Sequence, residues 1–524
     1  MNTKVFAYDT TLRDGSQAQG ISFSVEDKLK IVRKLDELGI AYIEAGNPGS
    51  NPKDLEFFRR LGELKLTRAR IIAFGSTCKV GTEPGDDGQI ASLLSANTPA
   101  VAIFGKTWDY QVTAILRTTL KENLRMIRAT LTYLKTQGKE VVFDAEHFYD
   151  GYKSSPDYAF KALAAAVEGG ADSLVLCDTN GGSFPDEIFE ITRKVVERFP
   201  GVAVGIHCHN DCELAVANSV RAVQAGATQI QGTINGIGER CGNANLCAII
   251  PNLQLKLGFD VIPPEQLSLI TPVARFVAET ANVEFNDKAA YVGADAFAHK
   301  GGMHVDAVKK NPMSYEHVTP ESVGNTRRVL MSEVAGRATI LGRINQIDPA
   351  LTKDSPETRA IINRLKDLEH EGYQFESAES SFELLVRKML GKFTPSFELK
   401  DFKVIVNEPN GNGVNSSAMI KIRVDGEDEI TAAEGDGPVN ALDRALRRAL
   451  ERFYPQLREM KLTDYKVRVL DSDQASAAKV RVLIESADQD SSWSTIGVST
   501  DVIDASWRAL VDAIEYKLAK LRND

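Results

Sequence analysis

The chain has 524 residues, 43% of them hydrophobic and 26% charged, with a formal net charge of -10. That length exceeds one ordinary core and predicts about two to four domains, while the acidic balance leaves no basic footprint for nucleic acid and no run of about 18 apolar residues offers a membrane span. Met1 to Tyr8 passes directly into a strand-like run without a leader, and six scattered cysteines suit reduced thiols, so a cytoplasmic protein is expected.

From residue 4 to about residue 260, short apolar runs alternate with longer amphipathic segments. Eight runs read as buried strands: Val5 to Tyr8, Ile40 to Ala45, Ala69 to Phe74, Ala100 to Phe104, Glu140 to Ala145, Ser173 to Cys177, Val202 to Ile206 and Thr228 to Ile234. Between them, Val25 to Leu38, Leu116 to Leu134, Ala159 to Glu168, Ile188 to Arg198 and Cys212 to Ala225 carry helical periodicity. Gly39, Gly138, Gly170 and Gly226 stand where helices should stop, and Asp157 and Asp186 where an acidic side chain caps a helix start. Eight such units in about 255 residues match an α/β chain folded as a (β/α)8 TIM barrel, with an open doubly wound sheet as the alternative.

A barrel concentrates reactive residues where strands end and loops begin. The unusual polar residues obey that rule: Asp9, Arg13, Asp14 and Gln17 after strand one, Glu44 and Asn47 at strand two, and Asp144, Glu146 and His147 at strand five. Asp178, Thr179 and Asn180 follow strand six, His207, His209, Asn210 and Asp211 strand seven, and Asn235, Glu239, Arg240 and Asn243 strand eight. Residues two apart in an extended chain share a face, so His207 and His209 stand side by side, either as a hydrogen-bonded pair or as ligands of a divalent metal. Cys208 alternates with them and faces the other way, which argues against a zinc–thiolate site shared with Cys212. Closure would pair strand eight with strand one and let Asp14, the two histidines and Asn243 meet. Such an oxygen-rich set suits Mg or Mn, with Zn as the third option.

Beyond the barrel segment, residues 1–260, the pattern changes. Residues 261–392 are mainly helical in period, a linker interrupted by Ala289 to Asn311, where Gly293, Gly301, Gly302, His299 and His304 cluster and Tyr315 follows. That segment is either a lid subdomain over the site or a plain connector. Residues 401–524 contain an internal repeat: Thr431 to Leu446 aligns with Thr495 to Leu510 at an offset of 64 residues. Each copy follows alternating strand patterns and becomes an amphipathic helix, Val439 to Phe453 and Val502 to Leu521. Two βββα repeats predict a small α+β domain. Having no histidine or cysteine, it suits binding a regulator or dimerising rather than chemistry.

Three motifs, Leu-Arg-Asp-Gly-Ser-Gln at 12–17, His-Cys-His-Asn-Asp at 207–211 and Asn-Gly-Ile-Gly-Glu-Arg-Cys-Gly-Asn-Ala at 235–244, carry a resemblance. With them the chain resembles, along essentially its whole length, the metal-dependent acyl-CoA Claisen-condensing enzymes, that is the isopropylmalate, homocitrate and citramalate synthases. Phe-Asp-Ala-Glu-His-Phe at 143–148, Cys-Asp-Thr-Asn-Gly-Gly at 177–182 and His-Lys-Gly-Gly-Met-His at 299–304 are most similar to the bacterial citramalate synthases of that family. The resemblance implies an acyltransferase that joins acetyl-CoA, pyruvate and water into citramalate and CoA, opening a pyruvate route to isoleucine.

It also implies a site. Asp14, His207, His209 and Asn243 hold the divalent metal that chelates pyruvate. Arg13 stabilises the developing oxyanion, and Arg13, Asp144 and Thr179 contact the substrate. Glu146 with His304, assisted by Tyr315, removes a proton from the acetyl methyl group. A structural Arg13–Glu146 ion pair across the mouth is the competing reading of those two residues. A homodimer is implied, with isoleucine as feedback effector on the 401–524 regulatory domain. The rival functions are isopropylmalate or homocitrate synthesis, a retro-Claisen lyase, against which the C-terminal repeat speaks, and a catalytically inactive amino-acid sensor on the same scaffold.

Overall fold

The computed structural model describes residues 3–48, 52–62, 64–300, 302–329, 337–406, 416–470, 477–488 and 491–523; Gly301 of the glycine-rich stretch lies outside them. Eight parallel strands close into a barrel in sequence order: β1 (Phe6–Asp9), β2 (Tyr42–Gly46), β3 (Arg70–Ser76), β4 (Ala100–Lys106), β5 (Glu140–Glu146), β6 (Ser173–Asp178), β7 (Ala203–Cys208) and β8 (Gln229–Gly232). Closure is made by β1 against β8, Phe6 opposite Gln229 and Asp9 opposite Gly232. The open-sheet alternative is thereby excluded. The strands coincide with the apolar runs because both faces of a barrel strand are covered, one by the interior and one by helices.

Local chemistry sets the helix ends. Ser24 and Asp27 exchange bonds at the start of helix Val25–Leu38, the Ser24 hydroxyl accepting from Asp27 N and Asp27 accepting from Ser24 N, and Gly39 ends the helix at φ +91. Helix Leu120–Thr136 begins later than the periodicity from Leu116 because Thr119 caps it by accepting from Glu122 N at 3.1 Å. Helices Pro156–Glu168 and Pro185–Arg198 open on a proline, so Asp157 and Asp186 lie in the first turn rather than at the cap. Helix Ala215–Gln224 starts three residues past Cys212, where Asn210 Oδ1 accepts from Ala215 N and Glu213 turns the chain at φ +60.

The chain divides into two compact units, Met1–Ala298 with Pro312–Arg328, and His299–Asn311 with Val329–Asp524. In the first, one core runs between barrel and helices and takes in Val273 and Val277 of helix Ile270–Thr280, together with Phe297. In the second, helices Pro356–Glu371 and Glu379–Met389 pack around Ile361, Leu365 and Phe382. Two βββα modules complete it: strands Glu398–Val406, Ser416–Val424 and Glu427–Gly435 with helix Pro438–Leu450, then Lys461–Val469, Val480–Ala487 and Ser492–Ser499 with helix Val502–Asn523. Each sheet is antiparallel in sequence order. The repeat reaches individual hydrogen bonds: Thr431 donates to Ala445 O and Thr495 to Ala509 O, both at 2.8 Å. No described helix is long and apolar enough to cross a membrane.

Candidate active site

At the carboxyl ends of β1 and β7, Asp14, His207 and His209 converge, all buried. His207 Nε2 lies 3.4 Å and His209 Nε2 3.8 Å from Asp14 Oδ2, and the two Nε2 atoms are 3.4 Å apart. A tight turn after β1 presents Asp14: Arg13 N and Gly15 N both return to Thr10 O. Asp9, grouped with the site by sequence, instead secures that turn, accepting from Thr11 N at 2.9 Å and Thr11 Oγ1 at 2.7 Å, with burial pushing its carboxyl up to about 7. Across the mouth, the loop after β8 comes back antiparallel, His209 pairing with Asn243 and Asn210 N donating to Gly242 O. The loop after β6 fits beside it only as glycine at 181, where φ is +62 and a Cβ would come within 2.5 Å of Asp211 Oδ2 and 2.9 Å of His209 O.

The electrostatics suit a cation. Burial works against charge on Asp14, yet Arg13 and His207 hold its carboxyl well below the usual carboxylate range. Burial, then neighbouring His207, pulls His209 down to about 4, whereas for His207 burial is outweighed by Asp14 and its pKa rises. Asp14 Oδ1 and Asn243 Oδ1 are buried without a hydrogen-bond donor among the described residues. Two imidazole nitrogens facing one carboxylate, with two desolvated oxygens beside them, form a donor set that fits a divalent metal. Cys208 sits in the core on the other face of the barrel wall and Cys212 is exposed, so neither thiol belongs to the cluster.

Around the cluster runs a buried polar network. Arg13 Nε donates to Glu44 Oε1 at 2.5 Å and Nη1 to Asp14 Oδ2 at 3.1 Å, while its guanidinium lies 3.9 Å from the Phe74 ring centroid. Glu44, fully buried, also accepts from Tyr8 OH at 2.6 Å. Glu146 pairs instead with Lys106 at 2.5 Å, so Arg13 and Glu146 have separate partners. Gln231 bridges His207 and Asp144, at 3.0 and 3.2 Å. Burial, reinforced by Glu44, pushes Asp144 up to about 7.

Thr179 Oγ1 accepts from His147 N at 2.9 Å, and its carbonyl accepts from Arg240, which clamps Asp211 through two further bonds of 2.8 Å. Asn235 serves packing, donating to Ala274 O. His304 is exposed on helix Gly302–Lys310 of the second unit, and Tyr315 is half-exposed in the first. Sequence reasoning missed Tyr8, Phe74, Lys106 and Gln231. Only Gln231 left a signal, a glutamine inside the otherwise apolar run Thr228 to Ile234.

Residues 4–277 match the family model described as HMGL-like, residues 291–373 the homocitrate synthase post-HMGL domain and residues 376–518 the LeuA allosteric (dimerisation) domain. The chain is 54% identical over 521 residues to the (R)-citramalate synthase of Aquifex aeolicus, covering 99% of each chain. It is 52% identical over 514 residues to that of Geobacter sulfurreducens, covering 98% of this chain and 97% of the other. Against a probable 2-isopropylmalate synthase of Methanopyrus kandleri, identity falls to 33% over 528 residues, with 100% of each covered. A closed barrel with this cluster at its mouth, joined to the two further matched domains, thus agrees with full-length relatives at every level, and the chain belongs to the HMGL-like family and, within it, to the citramalate synthases, acyltransferases of the Claisen-condensing class.

Proposed function

We propose that this chain condenses acetyl-CoA with pyruvate and water into (R)-citramalate and CoA, the first step of a pyruvate route to isoleucine. The observation that carries the reading is the buried Asp14–His207–His209 cluster with the desolvated Asn243 oxygen, in a chain 54% identical to an (R)-citramalate synthase. Asp14, His207, His209 and Asn243 would hold the ion, Mg or Mn in preference to Zn. A divalent ion bound there supplies Lewis acidity toward the keto and carboxylate oxygens of pyruvate.

This chain's own groups do the rest. Arg13, stacked on Phe74 and braced by Glu44, offers a fixed guanidinium to the negative charge that grows as the new carbon–carbon bond forms. Thr179 accepts from the His147 amide and keeps its own hydroxyl proton to donate to the pyruvate carboxylate. Asp144 contacts the substrate from the barrel floor. Glu146, oriented by Lys106, removes the acetyl methyl proton, with His304 and Tyr315 assisting on the family resemblance, His304 from a lid over the mouth. The enzyme works in the cytoplasm as a homodimer, with isoleucine as feedback effector on the 401–524 module, a reading supported by the match to the LeuA allosteric (dimerisation) domain.

The test is thiol release from acetyl-CoA with pyruvate, 2-oxoisovalerate and 2-oxoglutarate in turn. Pyruvate should be turned over far faster than the others, a chelator should abolish the reaction and Mg or Mn should restore it. Preferred turnover of 2-oxoisovalerate would replace this reading with isopropylmalate synthesis.

A further inference from the structure

Gln231 occupies an unusual position for an uncharged polar residue. It is wholly buried on β8, opposite His207 of β7 on one side and Tyr8 of β1 on the other. Its side-chain carbonyl lies 3.0 Å from His207 Nδ1, and its amide nitrogen donates to Asp144 Oδ1 at 3.2 Å. The second bond dictates the first: a carboxyl oxygen of Asp144 accepts, so the amide turns its N–H to Asp144 and its carbonyl to His207. A carbonyl can only accept, so His207 Nδ1 must carry the proton. The neutral ring then has its lone pair on Nε2, the atom that faces Asp14 and His209.

We propose that Gln231 is a positioning residue for the metal centre: Asp144 orients its amide, and the amide in turn fixes the tautomer and ring orientation of His207 so that Nε2 is presented as a ligand. Without that acceptor the imidazole can place its proton on Nε2 and rotate in its pocket, and the pair of Nε2 atoms 3.4 Å apart loses its fixed geometry. The inference rests on the metal-site reading above but assigns a residue outside the ligand set. It also gives Asp144 a second task, holding the amide in register from three strands away.

The experiment uses the full-length protein and Mn(II) as the probe, its affinity measured by competition with a chelating indicator. Gln231→Leu should weaken Mn(II) binding by roughly 10- to 100-fold. Gln231→Glu keeps an acceptor on His207 and should lie much nearer the parent protein than the leucine variant does. With histidine nitrogens isotopically labelled, only seven rings contribute signals, and long-range proton–nitrogen spectra should show His207 as the Nδ1–H tautomer in the parent and as a mixture in Gln231→Leu. Should the leucine variant fail to fold, Gln231→Met against Gln231→Glu makes the same comparison. Leucine and glutamate variants equally weak, or a leucine variant that binds Mn(II) within about twofold of the parent with an unchanged tautomer, would overturn the proposal. A parent protein that fails to bind Mn(II) at all would overturn the metal-site reading instead.

Discussion

Replacing Arg13 by lysine separates the role of a charge from that of a shaped charge. The guanidinium makes two charge-assisted bonds, to Glu44 and Asp14, and lies flat on Phe74. Such bonds contribute about 1.5–3 kcal/mol each, and the ring contact roughly 0.5–2 kcal/mol. Lysine preserves the positive charge and one of the two bonds, so Glu44 is not left as an unpaired buried carboxylate, a loss that would cost about 3–5 kcal/mol. The fold should therefore weaken by about 2–3 kcal/mol, within reach of a long chain. Catalysis should suffer more: loss of one preorganised donor to developing charge lowers turnover by roughly 100- to 1000-fold. Thiol-release kinetics at saturating pyruvate and metal, alongside thermal melts, measure both quantities. A folded lysine variant with turnover within about fivefold of the parent would refute the argument that the fixed fork, rather than the charge, stabilises the reaction.

Glu146→Gln should cut turnover by roughly 100- to 10,000-fold while the KM for pyruvate shifts no more than about twofold, because a base is lost but no pyruvate contact is; comparable damage to both constants, read from initial rates, would assign Glu146 to structure. Asp36 makes a prediction about pH. Its buried carboxylate accepts from Thr67 N, Arg68 N and Ala69 N at 2.8–2.9 Å and from Thr67 Oγ1 at 3.0 Å, tying the end of helix Val25–Leu38 to the approach to β3. Burial opposes ionisation, but the backbone donors hold this group below the usual carboxylate range. A depressed folded value means that the stabilisation is complete above the ordinary carboxylate pKa and is lost as pH falls through the folded one. Asp36→Asn should lower stability at neutral pH by about 1.5–3 kcal/mol and flatten the acid side of the melting profile; superimposable profiles would remove Asp36 from the account.

The barrel was legible because parallel strands covered on both faces leave unbroken apolar runs, and because Asp14, His207 and Asn243 all fall just where such runs end. What stayed hidden depended on partners distant in sequence. Nothing in the order of residues says that Glu44 accepts from both Tyr8 and Arg13, or that Lys106 rather than Arg13 faces Glu146. Helix ends shifted where side chains intervened, as at Thr119 and Asn210. Asp9 shows the opposite error: a carboxylate at a strand end was grouped with the chemistry, whereas two bonds from Thr11 commit it to the turn.

Barrel closure through β1 and β8 has a consequence for synthesis and quality control. The metal-ligand candidates sit on either side of the seam, and Asp14 and Asn243 are 229 positions apart. A nascent or truncated chain lacking β7, β8 and the returning loop has no ligand set, so an incomplete barrel neither sequesters metal nor starts turnover. A cation that binds only the closed form pulls the seam shut by mass action. Because the last pairing joins the two ends of the barrel, it is the contact of highest sequence separation in the sheet and should be among the slowest to form. The same ion would then serve as a latch that secures the ring after its final strand arrives.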